Sequence, residues 1–500
     1  MNRKIGVILS YVQMIFEVLS TLLLTPFIIS TLGQAEFGVY KLSAAITAYL
    51  LLLDLGVGNA IIRYISKYRI EQNRVKERQF FGIATLFYLG ISIISFFLGC
   101  ILVYLFPTIF STGLTQNEII LGQKLLFITL ITVSFSLATM CYNNILIAYE
   151  NFKVSRLCTI IQIILKIIMS YISLRLGYGS IGIVSVNLFL TILMRLYMMF
   201  YVFVKMKLYP IFKNLDRKFV KEIVLYSSLI FIQMIATQLN STVDQLLLGS
   251  FVKSSAVIIG IYGIGTQVVQ YFQSIGSAFT SVLMPGIVSM VENNADAKLL
   301  NKEMVRIGRI IFMILILIWG CFLVNGNNFI VLWAGKENEL AYYVALILMF
   351  AYIFVLSESI GTQILWALNE HKEQSYLKMF IVLINILLTI ILIKWNPLFG
   401  ATIGTFLSLI LGDVGVMNYI FAKKLKIDLK YYYFNLLKGI LPSIVLTVTI
   451  GFLMNQVFSI TWIGLILKVS SMCVIYAICM LVFGMNKYEK SLVKSVLRIK

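Results

Sequence analysis

Long apolar runs separated by short polar breaks fill this chain from end to end. A helix rising 1.5 Å per residue needs about 20 mostly apolar residues to cross a bilayer. Breaks at Gly, Pro or charge clusters divide the sequence into about fourteen such runs, at 5–31, 38–62, 80–106, 122–148, 157–176, 180–204, 223–249, 257–284, 308–333, 342–367, 377–393, 399–421, 434–456 and 461–484. Several runs carry a polar stripe at helical spacing. Gln233, Thr237, Asn240 and Asp244 share one face, as do Gln267, Gln270, Ser274, Ser277 and Ser281. Thr129, Thr132, Ser136, Thr139 and Asn143 form a third stripe, and Gln13, Glu17, Ser20 and Thr21 a fourth. Such faces cannot meet lipid tails with their polar groups unpaired, so they face other helices or water. Ser and Thr alone are read as bonding helix to helix. Stripes that add Gln, Asn or a carboxylate are read as lining a hydrated cavity.

The runs are arranged in two sets about a basic connector holding Lys205, Lys207, Lys213, Arg217, Lys218 and Lys221 against Asp216. Landmarks before it recur after it. Leu32-Gly33 with Gly38-Val39-Tyr40 returns as Leu248-Gly249 with Gly260-Ile261-Tyr262. Ala148-Tyr149-Glu150-Asn151-Phe152-Lys153 returns as Ala367-Leu368-Asn369-Glu370-His371-Lys372, and Tyr178-Gly179 as Phe399-Gly400. Three matches in the same order indicate an internal duplication. The expected division is a first lobe at 1–204, a linker at 205–222, a second lobe at 223–422, and a final pair of helices with a tail at 423–500.

Composition confirms the class: 60% hydrophobic residues against 12% charged leave too little polar surface to coat a soluble globule. The net charge of +20 suggests nucleic acid until its placement is considered. Basic residues crowd every second loop, at 63–78, 153–156, 205–221, 298–309, 372–378, 423–430 and 487–500, whereas the alternate loops hold scattered ones such as Lys41, Lys253, Lys336 and Lys394. This is the positive-inside pattern; it places both termini in the cytoplasm and removes the case for a nucleic-acid partner. The N-terminal run contains Glu17 and no small-residue cleavage site, so it is expected to be a retained helix rather than a signal peptide. All six cysteines fall inside runs and are read as packing residues.

Ionisable groups at membrane depth cost about 2.5–3.5 kcal/mol each even on insertion scales, which makes them candidates for function. Glu17, Lys166, Arg195, Asp244, Glu358 and Lys468 lie there, with Asp54 and Asp413 nearer the ends of their runs. Lys166 and Arg195 offer positive charge to a phosphate, and Gln162, four residues before Lys166, shares its helical face. Glu17 and Glu358 are placed to bind a coupling cation such as H+ or Na+. The bland alternatives are internal ion pairs, or snorkelling of the long basic side chains. Outer loops are too short for a catalytic domain, no phosphate-binding loop motif is present, and His371 is the only histidine. No enzyme activity, metal or cofactor is therefore expected.

The motif Asp54-Leu-Gly-Val-Gly-Asn-Ala-Ile-Ile-Arg63-Tyr-Ile-Ser-Lys67-Tyr-Arg69, preceded by Leu32-Gly33-Gln-Ala-Glu36-Phe37-Gly38, resembles the polysaccharide exporter and lipid-linked oligosaccharide flippase branch of the multidrug/oligosaccharidyl-lipid/polysaccharide exporter superfamily. Asp244-Gln-Leu-Leu-Leu-Gly249, Leu332-Trp333-Ala334-Gly335 and the 367–372 segment extend that resemblance along the chain. It implies an all-α polytopic membrane protein with two six-helix lobes around a central cavity, two C-terminal helices and alternating access. Arg63 matches the branch motif, although its place at a membrane end suits a topological role equally. The implied function is a secondary transporter in the bacterial cytoplasmic membrane. It would flip an undecaprenyl-pyrophosphate-linked oligosaccharide, an O-antigen or other polysaccharide unit, and hand it to polymerase machinery. Its substrate cavity would draw on Lys166, Arg195, Gln233, Asn240, Asp244, Gln267, Gln270 and Arg63. The alternatives are a drug or organic-cation exporter of the same superfamily, which would favour an acidic, aromatic cavity, and a membrane polymerase or glycosyltransferase.

Overall fold

The computed structural model describes residues 2–212, 217–292, 296–368 and 372–496, and every regular element among them is helical. Lys213 and Asp216 of the connector, and Asn369, Glu370 and His371, lie outside the described residues. Two compact units divide the chain, Met1–Gly260 and Ile261–Lys500.

The first unit is built from α1 (Asn2–Leu51), α2 (Val57–Ile70), α3 (Arg74–Phe110), α4 (Gln116–Ala148), α5 (Phe152–Arg175), α6 (Gly179–Phe200) and α7 (Arg217–Phe251). The chain passes to the second unit through α8 (Ala256–Glu292). There it forms α9 (Ala297–Ala334), α10 (Ala341–Ser357), α11 (Ser359–Ala367), α12 (Lys372–Leu392), α13 (Pro397–Ser408), α14 (Met417–Lys424), α15 (Leu429–Leu437), α16 (Ile440–Leu453), α17 (Trp462–Cys479) and α18 (Lys487–Val496). Among the described residues, 10 helical stretches are long and apolar enough to cross a membrane. One of them, Ile8–Ile70, contains two expected runs, and α7, α8 and α12 cover the remaining three. The helices thus match the expected pattern, and the protein is a multi-pass all-α membrane protein.

Two backbone breaks fall early in the chain. One lies where hydropathy puts it: the stretch called α1 is two helices that meet at Gly33 (φ 75°, ψ 171°), between the first two expected runs. Glycine takes this conformation because it has no Cβ to clash. Three residues on, the Glu36 carboxylate accepts from the N–H (2.7 Å) and hydroxyl (2.6 Å) of Ser180 at the start of α6. A carboxylate there complements the positive end of that helix. The second expected run, by contrast, is interrupted where hydropathy shows no break: a 3-10 turn at Leu52–Asp54 leads into left-handed Leu55 (φ 54°) and Gly56 (φ 71°) before α2 begins.

Core packing explains much of the sequence pattern. Ile61, Ile65, Phe80, Phe81, Tyr88, Cys141, Ile145 and Val202 are fully covered within one cluster of the first unit. The six cysteines are free, and four of them are buried. Gly38 and Gly260, paired landmarks of the expected duplication, pack backbone to backbone: a Cβ on Gly38 would lie 3.1 Å from the Gly260 nitrogen. Part of the basic excess is structural rather than solvated. Arg69 donates to the Ala148 carbonyl at the end of α4 (3.0 Å), and Arg78 donates to the Tyr209 carbonyl (2.9 Å). Both satisfy carbonyls that have no helical partner.

Candidate functional site

The first unit contains a cavity of about 220 Å³ among α1, α4, α5 and α6. Lys166 of α5 enters it opposite Tyr40, Ser43, Thr47, Thr129, Thr132 and Asn187. Lys166 is half-buried, with the charges of Glu17 and Lys41 within Coulombic range. Glu17 is exposed, and Lys41, read from sequence as an outer-loop residue, belongs to α1. Ala44, Ala48, Leu51, Val133, Ile183 and Val184 make the rest of the wall apolar, and the Thr47, Thr129 and Thr132 hydroxyls donate to carbonyls of their own helices, so Lys166 is the charged group this site offers to an anionic ligand.

The structure separates Arg195 from this cavity. Arg195 is half-buried near Tyr88 and Cys141, beside the break after α1. There Tyr88 donates to Asp54 (2.5 Å), and the Asn144 amide donates to the Tyr88 hydroxyl (3.4 Å). Gly58 makes room for that amide, which lies 2.9 Å from where a Cβ would stand. The backbone break therefore presents Asp54 to a polar network inside the unit, which is where non-helical backbone is tolerated at membrane depth.

The second unit has a separate polar centre where α10 gives way to α11. Glu358 is only 2% exposed and accepts on Oε1 from the Tyr433 hydroxyl and the Asn418 amide (3.1 Å). Asn418 also donates to the Tyr433 hydroxyl (2.6 Å), and Tyr432 donates to the Ser357 carbonyl (3.0 Å). Asp413, in the π-helical turn Leu409–Val416 between α13 and α14, is near enough for its charge to be felt at Glu358.

Of the other expected residues, Asp244 is buried on α7 within Coulombic range of Tyr49, and Asn240 is half-buried one helical turn away. Gln267 is buried and donates to the Tyr271 hydroxyl (2.9 Å), while Gln270 and Arg63 are exposed. The side chains of Gln233 and Ser281 lie outside the described residues. Lys468 is buried and donates to Asn455, an internal pairing. All three threonines of the α4 stripe turn back on their own helix: Thr129 on Leu125, Thr132 on Ile128 and Thr139 on Phe135. Gln13 accepts from Arg156 (3.0 Å), and Gln162, one turn before Lys166, donates to Thr191 on α6 (3.2 Å). These last two are helix-to-helix bonds. The sequence reading missed Glu36, Tyr88, Asn144, Asn418 and Tyr433. The Glu36 segment belongs to a noted motif, whereas the other four carry no pattern that marks them.

A family model described as polysaccharide biosynthesis protein matches residues 3–291. No curated protein matches the sequence. Among solved structures, one of the lipid II flippase MurJ in an inward closed conformation is similar at a TM-score of 0.74 and 17% identity, covering 98% of this chain and 99% of that one. An inward-facing multidrug resistance MATE family transporter of the MOP superfamily is similar at a TM-score of 0.66 and 16% identity, covering 81% and 95%. A MOP superfamily transporter from Pyrococcus furiosus, reported with a binding pocket of reverse polarity, is similar at 0.57 and 17%, covering 83% and 95%. At these identities the likenesses establish a shared fold.

Proposed function

The chain belongs to the polysaccharide biosynthesis protein family, and from that premise we propose that it flips a lipid-linked oligosaccharide across the bacterial cytoplasmic membrane. The carrier lipid in this reading is undecaprenyl pyrophosphate, the cargo an O-antigen or other surface-polysaccharide unit, and the recipient a polysaccharide polymerase. The termini lie in the cytoplasm. The observation that carries the proposal is Lys166, a basic side chain on α5, a helix long and apolar enough to cross the membrane, which lines a cavity together with hydroxyls, the Asn187 amide and apolar side chains. A sugar headgroup cannot cross hydrocarbon because each unpaired polar group costs several kcal/mol. Lysine offsets the phosphate charge, and the hydroxyl oxygens and the Asn187 amide beside it offer hydrogen bonds in place of water. The fold shared with a lipid II flippase supports the same reading.

Transport follows by alternating access, with Glu17 and Glu358 as candidates for carrying the coupling cation. Lys166 gives the decisive comparison with a drug exporter, because a cationic cavity disfavours an organic cation. Lys166→Ala should abolish most polymer export and leave lipid-linked intermediate on the cytoplasmic side, whereas Lys166→Arg should keep part of the activity because the charge persists in a different donor geometry. Membrane abundance is measured in parallel. An abundant Lys166→Ala protein that exports at the normal rate would remove the phosphate contact and the flippase reading built on it.

A further inference from the structure

A second, larger cavity of about 680 Å³ opens in the second unit between the start of α9, the turn after α15 and the start of α18. Its volume falls within the roughly 300–1,000 Å³ usual for ligand pockets. Five basic side chains line it, and two are balanced from within. Arg309, 5% exposed, grips both oxygens of Glu489 (2.7 and 3.2 Å) and also donates to the carbonyls of Lys438 (3.1 Å) and Gly484 (3.1 Å). Arg306 pairs with Glu303 (2.9 Å) and stacks 3.8 Å over the Tyr488 ring. This buried Arg309–Glu489 clasp fixes α18 against the loop after α15, and it thereby brings Lys302, Lys438 and Lys487 to one rim from three separate elements. All three lysines are exposed, and none forms an ion pair among the described residues. Like charges gathered on a rigid frame repel one another, so the frame is organised for an anion.

The apolar surroundings identify what kind of anion. Phe483 lines the cavity yet is 71% exposed, and Phe434, whose ring lies 5.6 Å from the Lys438 ammonium, is 66% exposed. The segment bearing Phe483 packs directly on the start of α16, where a Cβ on Gly439 would lie 2.8 Å from the Phe483 carbonyl. From there Leu441 and Val445 continue an uncovered apolar strip along α16, within a stretch apolar enough to cross the membrane. A free phosphate would need the lysines but not the strip; an amphiphile uses both. Basic pockets at the ends of membrane helices recognise anionic lipid headgroups in this way. We propose that this pocket binds the phosphate headgroup of an acidic phospholipid, whose acyl chains lie along α16. The proposal does not depend on what the Lys166 cavity carries.

The test uses the full-length protein, purified in detergent and stripped of lipid. Phosphatidylglycerol, phosphatidylcholine with the same acyl chains, and inorganic pyrophosphate are titrated separately, and binding is followed by native mass spectrometry and melting temperature. Phosphatidylglycerol should bind saturably and raise the melting temperature, and phosphatidylcholine should not. The combined variant Lys302→Gln, Lys438→Gln, Lys487→Gln should weaken the phosphatidylglycerol site by about a hundredfold, the product of roughly fivefold for each lysine near an anionic headgroup. All three are exposed, so folding should be retained, and an unchanged melting temperature of the lipid-free variant verifies it. Neutralising Lys67, Lys76 and Lys205 of the first unit should leave the site intact. A loss below tenfold, equal binding of phosphatidylcholine, or pyrophosphate binding as tightly as the lipid would each overturn the proposal, the last by showing a free-anion site.

Discussion

A carboxylate removed from water needs donors for both of its oxygens, and Glu358 has them for one. Its Oε2 and the Asn418 Oδ1 are buried acceptors without a hydrogen-bond partner. Adding a hydrogen to the carboxyl, or replacing it by an amide, supplies a donor to a cluster that is short of one. Glu358→Gln is therefore expected to fold with an unchanged or higher melting temperature. If Glu358 carries the coupling cation, the same variant should lose net transport while substrate binding stays. Tyr433→Phe removes a donor from a buried acceptor and should cost about 1–3 kcal/mol, read as a lower melting temperature. A Glu358→Gln protein that transports normally across a range of pH and Na+ would take the residue out of the coupling site. Glu358 is legible in the sequence because an acid inside an apolar run is rare. Asn418 and Tyr433 are not, since they arrive 60 and 75 residues later on helices with no spacing relation to it. Lys166 is legible for the same reason as Glu358. Its apparent companion Gln162 is not, because the sequence shows that two residues share a face but not which neighbour claims the amide.

Helix breaks follow a different logic from helix runs. Hydropathy averaged over a window registers where polar residues accumulate, and it marks the break after Thr31, where two helices meet at Gly33. The same averaging passes over Leu52–Gly56, because the apolar composition continues while the backbone leaves the helix. Glycines that permit close approach are easier to see, since Gly38 and Gly260 stand out as matching landmarks in the sequence. Gly38 is the sharper of these: a methyl group there would press on the Ala256 carbonyl and the Gly260 nitrogen, both main-chain atoms that cannot rotate aside. Gly38→Ala should therefore destabilise by about 1–3 kcal/mol through overpacking. Gly90 on α3 has nothing within 4 Å of where an alanine methyl would stand, so Gly90→Ala should leave the melting temperature unchanged or raise it through helix propensity. Equal melting temperatures for the two alanine variants would show that the α1 to α8 contact is not tight in the folded protein.

At the scale of the whole molecule, the sequence carries the class, the helix count and the alternation of basic loops, because these are sums over many residues and tolerate local error. The sequence reading sets its boundary at the basic connector; by packing, α7, which follows the connector, falls within the unit Met1–Gly260, with Thr242 donating to Tyr49 (2.9 Å). Sidedness can be checked directly, because the positive-inside argument assigns alternate loops to opposite faces of the membrane. Single cysteines are introduced in a background in which the six native ones are replaced. At Thr112 and Lys336, both exposed in loops with few basic residues, they should react with a membrane-impermeant thiol reagent in intact cells. At Lys76 and Lys302, equally exposed but near the basic starts of α3 and α9, they should react only after the membrane is opened. Matched exposure matters, since a buried position such as Asn338 would stay unlabelled on either side. Labelling of Lys76 or Lys302 from outside would invert the orientation, and with it the direction in which a lipid-linked substrate could be moved.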